Sequence, residues 1–418
     1  MNIKLKLTIL NFLEFAVWGA YLCSMSLYLD KAGMGENIGW FYSVQGFVSL
    51  CMPALMGIVA DRWMQAQKVL SMCHALAGLF MIGACVYGAN NEGAVAFGTL
   101  FTLYAASVAF FMPTIALANS VAYSALEGAG LDTVKAFPPI RIWGTIGFIC
   151  SMWTVDLLAF KDTPYQFAVS GGLSLVLAAY ALTMPQCRTS KGTSKGLVEA
   201  LGLNAFALFK NYRMALFFIF SMLLGVCLQI TNGYATPFLE SFGALPEYQH
   251  SFGVEHSVIL TSLSQVSETV CILFIPFFLK RFGIKIVMFI AMMAWVFRFG
   301  FFSFGNPGDG LWMIIMSMIV YGVAFDFFNI SGSLFVDKET DLSIRSSAQG
   351  LFMMMTNGLG ASIGMLSAQA VVNSHIDKNA DAAVKVLQWG NCWMIFAIYA
   401  LVVAVSFMLL FRYKHVKE

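Results

Sequence analysis

Apolar runs of about twenty residues recur from one end of this chain to the other, parted by short polar turns. A run of that length lets an α-helix cross the hydrocarbon core of a bilayer. The pattern predicts helices over 7–29, 38–60, 69–88, 94–118, 138–160, 166–184, 213–237, 257–279, 285–304, 311–335, 347–370 and 389–411. The expected fold class is an all-α polytopic membrane protein of twelve transmembrane helices.

The longest polar gap, 185–212, begins PQCRTSKGTSKG and divides these helices six and six. It predicts an N-terminal six-helix bundle over 1–184, a cytoplasmic linker over 185–212 and a C-terminal six-helix bundle over 213–418. Within the linker, Leu197, Leu201 and Leu208 near Lys195 and Lys210 suit either a short helix lying on the membrane surface or a flexible connection. The opening MNIKLKL with the apolar run behind it reads as an uncleaved first span, because the run is long and no small-residue cleavage site follows.

Charge then sets an orientation. With the N-terminus in the cytoplasm, the inner segments hold eighteen Lys and Arg, and the outer loops hold only Lys31, Lys161, Lys378 and Lys385. That bias supports both termini inside and an even number of spans. Two short basic turns, GIVADRWMQAQKV (57–69) and FLKRFGIKIV (278–287), follow the second and eighth spans and echo each other. Internal repeats of this kind mark carriers whose site lies between the halves near the midplane.

Composition removes other classes. The chain is 59% hydrophobic and 11% charged, against about 25% charged in soluble domains. Nine cysteines are scattered without C-x-x-C spacing, which argues against a disulfide framework or a zinc site. The histidines (His74, His250, His256, His375 and His415) form no H-x-x-x-H pattern, which weighs against a membrane enzyme acting on lipids or isoprenoids. A channel fits a six-plus-six repeat with one polar cluster less well than a carrier does. No metal or other cofactor is expected.

Six ionisable residues fall inside the expected spans: Glu14, Arg141, Asp156, Glu268, Arg298 and Asp326. A charge at mid-bilayer costs about 2.5–3.5 kcal/mol on the insertion scale, so each needs a partner, a watery cavity or a proton. Arg298 and Asp156 lie toward the outer ends of their helices, where long side chains snorkel, and are read as structural. Glu14 either lines a cavity or reaches the inner interface. Arg141 is about one turn inside a helix that Pro138 and Pro139 are expected to start. Glu268 and Asp326 lie deepest and are read as functional.

Helical spacing groups their neighbours. Arg141, Thr145 and Phe148 share a face, as do Gln229 with Asn232, Gln265 with Glu268, and Asp326 with Asn329. Tyr321, Phe325 and Phe328 form an aromatic stripe beside Asp326. Acids, carboxamides, one arginine and flat apolar faces suit a neutral, polyhydroxylated ligand carrying a ring. A proton- or cation-coupled sugar permease would use a similar inventory.

Several strings resemble a known family. FPPIRIWGTIGF, NAFALFKN, FFIFSMLLG, LQITN, SQVSET, IPFFLKRFGIK and VYGVAFDFFNISGS are similar to segments of bacterial nucleoside permeases, the nucleoside:proton symporters of the major facilitator superfamily. GIVADRWMQAQK resembles that superfamily's G-x-x-x-D-R loop, with Gly57, Asp61 and Arg62 matching. The likeness runs nearly end to end. It implies import of purine or pyrimidine nucleosides with protons across a bacterial inner membrane, by alternating access. It also implies a monomer in a lipid bilayer with no nucleic-acid partner. Carried over position by position, the substrate site falls on Arg141, Thr145, Phe148, Gln229, Asn232, Gln265, Glu268, Tyr321, Phe325 and Asp326, and the conformational-switch loop on Gly57, Asp61 and Arg62. Glu14 departs from the family pattern, where a neutral glutamine fits; the extra acid bears on proton stoichiometry or substrate preference.

A carboxylate that changes neighbours between two states binds a proton in one and releases it in the other. Asp326 is the first candidate for that acid and Glu268 the second, with Arg141 as counter-charge.

Overall fold

The computed structural model describes residues 2–187, 203–341 and 344–413, and the regular structure there is helical throughout. Contacts divide the chain into two compact units, Met1–Ala200 and Leu201–Glu418. Much of the 185–212 stretch, including Leu197 and Leu201, lies outside the described residues; Leu208 falls in a 3-10 helix over Leu203–Lys210.

The N-terminal unit contains α1 (Ile3–Gly19), α2 (Met25–Lys31), α3 (Ile38–Ser49), α4 (Met52–Arg62), α5 (Ala66–Asn90), α6 (Phe97–Gly128), α7 (Thr133–Leu157) and α8 (Tyr165–Ala181). The Asn2 side chain caps α1 by accepting from the Lys4 N–H at 3.1 Å. Helix α1 packs against α7 and α8, and α5 packs against α6 and α8. Hydroxyls stitch these helices together: Ser170 donates to the Val17 carbonyl at 2.8 Å, Ser71 to Ala178 at 2.7 Å and Ser107 to Ala77 at 2.8 Å. Side-chain bonds between helices replace part of the packing force that lipid surroundings weaken.

The C-terminal unit contains α9 (Tyr212–Leu228), α10 (Ile230–Ser241), α11 (Ser257–Cys271), α12 (Ile275–Phe304), α13 (Leu311–Glu339), α14 (Arg345–Met353), a π-helical turn (Met354–Gly360), α15 (Ala361–His375) and α16 (Ala382–Leu410). The Asn211 side chain caps α9. Helix α12 packs against α13 and α16, α11 against α13, and α9 against the π turn and α15.

Among the described residues, seven helical segments are long and apolar enough to cross a membrane, or eight if Gly35–Ser49 and Met52–Ala60, bent by 41°, count as one. Large apolar side chains on the outside, such as Leu79, Val176 and Leu409, are exposed. The chain is a multi-pass helical membrane protein.

The apolar pattern does not foresee where helices break. The run over 7–29 is interrupted between Gly19 and Met25, and that over 38–60 ahead of Pro53. A proline disfavours helical backbone in the residue before it. The run over 213–237 breaks at Gln229. The basic turn expected over 278–287 is mostly helix, interrupted at Gly283 with φ 76° and ψ 168°, a conformation open to glycine. Likewise, α4 carries Gly57 and runs to Arg62, so the expected loop motif is largely helical. The side chains of Asp61 and Arg62 lie outside the described residues.

Helix α7 corrects a second expectation. It begins at Thr133 and not at Pro138, so both prolines lie inside it. The upstream TVKAF stretch extends the helix, and the prolines leave two carbonyls of the first turn without helical donors. Arg141 is therefore about two turns inside the helix.

Candidate functional site

In the N-terminal unit, α7 presents Arg141, Thr145 and Phe148. Arg141 is half-buried, with its guanidinium carbon 3.8 Å from the centroid of the Phe15 ring on α1. That cation–π stacking holds Arg141 two turns inside the helix. Thr145 is half-buried, and Phe148 is buried with its ring edge-on to Trp18 at 6.2 Å. The Trp18 indole donates to Gln45 Oε1 at 3.1 Å, and the Gln45 amide donates to the Tyr104 hydroxyl at 2.8 Å.

In the C-terminal unit, the amides sit at the α9–α10 break. Asn232 Nδ2 donates to Gln229 Oε1 at 2.9 Å, and both side chains are half-buried.

Helices α11 and α13 bring the two acids together. Asp326 lies at the middle of the 29-residue α13 and is 5% exposed. Its Oδ2 is buried with no hydrogen-bond partner among the described residues. Glu268 on α11 is half-buried and close enough to act electrostatically on Asp326. Gln265, one turn away, is half-buried on the same face. The approach is tight: Ser267 donates to the Ile319 carbonyl, and a Cβ on Gly322 would lie 2.5 Å from the Ser267 carbonyl oxygen. Just ahead of Asp326 on α13, the Tyr321 and Phe325 rings stack with centroids 5.6 Å apart and planes 13° apart.

Arg298 is where the sequence reading needs most revision. It does not snorkel; it is 3% exposed. Its guanidinium donates to the Ser317 carbonyl at 2.7 Å, to Thr231 Oγ1 at 3.0 Å and to Ser264 Oγ at 3.3 Å. Bonds from both terminal guanidinium nitrogens at that depth stand in for the reach to water. The same group lies 4.5 Å from the Tyr321 ring centroid. Arg298 thus ties α10, α11 and α13 to α12 beside three of the site positions. Thr231 and Ser264, hydroxyls adjacent in sequence to Asn232 and Gln265, are the signal that could have found it.

Asp156 does not snorkel either: its side chain is 0% exposed and lies 3.9 Å from the Lys161 ammonium near the end of α7. Glu14 does not reach the inner interface. It is 1% exposed and held by His74 and Thr114, a contact that sequence spacing did not reveal.

The family profile described as Nucleoside H+ symporter matches residues 1–416. The chain is 47% identical to the xanthosine permease of Escherichia coli (strain K12) over 424 residues, covering 100% of this chain and 98% of that protein. It is 45% identical to the nucleoside permease NupG of the same strain over 421 residues, with the same coverage. A crystal structure of nucleoside transporter NupG superposes with a TM-score of 0.90 at 45% identity, covering 99% of this chain and 100% of that one. Across its length, this chain belongs to the nucleoside H+ symporter family.

Proposed function

We propose that the protein imports nucleosides together with protons across the bacterial inner membrane, working by alternating access with both termini in the cytoplasm. Family membership gives the class of reaction. In this reading twelve spans form two six-helix halves, and the positive-inside bias sets their orientation. The observation that carries the mechanism is the Glu268–Asp326 pair, two carboxyls in each other's field beside the stacked Tyr321 and Phe325 rings.

Two negative charges there would repel each other away from bulk water, and one proton leaves a single charge. The pair titrates as a unit. Asp326, buried with an unpartnered oxygen, is the principal proton carrier. Glu268, more exposed, contacts substrate and shares the proton. The Tyr321–Phe325 stack offers a flat face to the base, and base–aromatic stacking is worth about 1–3 kcal/mol per base where measured. Gln229, Asn232 and Gln265 supply amide donors and acceptors for ribose hydroxyls and base edges; Arg141, Thr145 and Phe148 are the substrate residues proposed in the N-terminal unit. The membrane potential adds about 2.3 kcal/mol per proton per 100 mV.

Uptake into proteoliposomes, with and without an imposed pH gradient, tests this reading. A panel of purine and pyrimidine nucleosides should accumulate only with the gradient. Ribose, lactose and free bases should compete poorly; effective competition by sugars would indicate a sugar permease instead.

A further inference from the structure

Outside the proposed site, one cluster of buried ionisable groups stands out in the N-terminal unit. Glu14 on α1 and His74 on α5 have side chains 1% and 0% exposed, with Glu14 Oε2 2.8 Å from His74 Nε2. Glu14 Oε1 lies 2.5 Å from Thr114 Oγ1 on α6, and that hydroxyl is also 2.6 Å from the Phe111 carbonyl oxygen. On the other side of the ring, His74 Nδ1 is 3.0 Å from Ser174 Oγ on α8, whose hydroxyl also reaches the His74 carbonyl at 2.9 Å. Four helices meet at this pair.

Counting hydrogens shows what the arrangement holds. Five contacts are made, and if each is a two-centre hydrogen bond each needs one hydrogen. Thr114 and Ser174 supply one apiece, so the rest must come from the pair; an imidazole carries at most two and a carboxyl one. With one hydrogen on the pair, a neutral ring faces a carboxylate. Two contacts then lack a hydrogen, and a net negative charge is buried. Adding a proton fills one of those contacts and cancels the charge. A further proton would fill the last contact but bury a net positive charge, which burial disfavours.

We propose that the Glu14–His74 pair is a second proton-binding site of this carrier, loaded in the arrangement seen here and emptied when α1, α5, α6 and α8 shift apart. The proposal rests on the proton-coupled reading above. The crevice lined by Ser174, Phe111, Tyr21 and Ser107 leaves no room for a water-sized sphere. Both side chains are at most 1% exposed, so exchange of the proton with water takes helix movement. Pro113, inside α6 next to Thr114, is a place where that helix bends readily.

The helices packed around the pair carry other ionisable groups. Cys73 on α5 senses the Glu14 charge. Arg141 on α7 lies over Phe15, the residue after Glu14. Tyr180 on α8 donates to the Lys6 carbonyl at 3.1 Å. Tyr104 on α6 receives the Gln45 amide.

The test is the slope of accumulation against pH gradient. Proteoliposomes with the potential clamped are loaded with labelled uridine or adenosine, whichever is taken up faster. Each coupled proton multiplies the equilibrium accumulation ratio by about tenfold per pH unit. The native protein should rise about a hundredfold per unit. Glu14→Gln keeps the shape but removes the carboxylate that offsets a second ring proton, and should rise only about tenfold. His74→Gln should give the same reduced slope and serves if Glu14→Gln does not reach the membrane. A native slope of one proton, or a variant with the native slope, overturns the proposal. No accumulation by the native protein overturns the coupled-transport reading itself.

Discussion

The Arg298 guanidinium lies 4.5 Å from the centroid of the Tyr321 ring, so a buried cation backs the aromatic stack proposed to receive the base. The same group bonds Thr231, Ser264 and the Ser317 carbonyl. Lysine cannot reproduce that fork. Arg298→Lys should raise the KM for uridine about 2- to 30-fold, the range from an exposed to a desolvated cation–π contact. Its pH dependence should stay native. An unchanged KM would show that Arg298 serves folding alone.

The Gln229–Asn232 hydrogen bond at 2.9 Å makes these two amides act together. Gln229→Ala and Asn232→Ala should each weaken nucleoside binding without altering the proton requirement. Their effects should fall short of additive, with a coupling of about 0.5–1.5 kcal/mol for the bond both remove. Binding isotherms for the two single variants and the double variant check this; strict additivity would mean that the amides act separately.

Gly322 marks a close approach between α11 and α13. An added methyl would meet the Ser267 carbonyl at 2.5 Å, and α11 must then move. Gly322→Ala should cost about 1–3 kcal/mol as an overpacked contact. It should lower the Tm of the solubilised protein and reduce the uptake rate as Glu268 shifts against Asp326. A native Tm would show that the interface relaxes freely.

What could be read beforehand follows from range. Glu268 and Asp326 stood out because an acid in a lipid-length apolar run is costly wherever it points. Tyr321 with Phe325, and Gln229 with Asn232, were grouped by spacing within one helix, and those pairs do touch. Glu14 and His74 are sixty residues apart on different helices, beyond any local period. Arg298 was misjudged for the same reason: its partners come from three other helices, and only their packing shows that it need not reach water. Helix breaks at Gln229 and Gly283 were also hidden, because hydrophobicity continues across a break that backbone geometry makes.

The central claim is that Asp326 carries the coupling proton. Asp326→Asn keeps nearly the same size at a buried position but cannot titrate. In one preparation of proteoliposomes, pH-driven accumulation and nucleoside counterflow should be measured side by side. Accumulation should be lost while counterflow persists. An Asp326→Asn protein that still concentrates uridine against its gradient would contradict the claim.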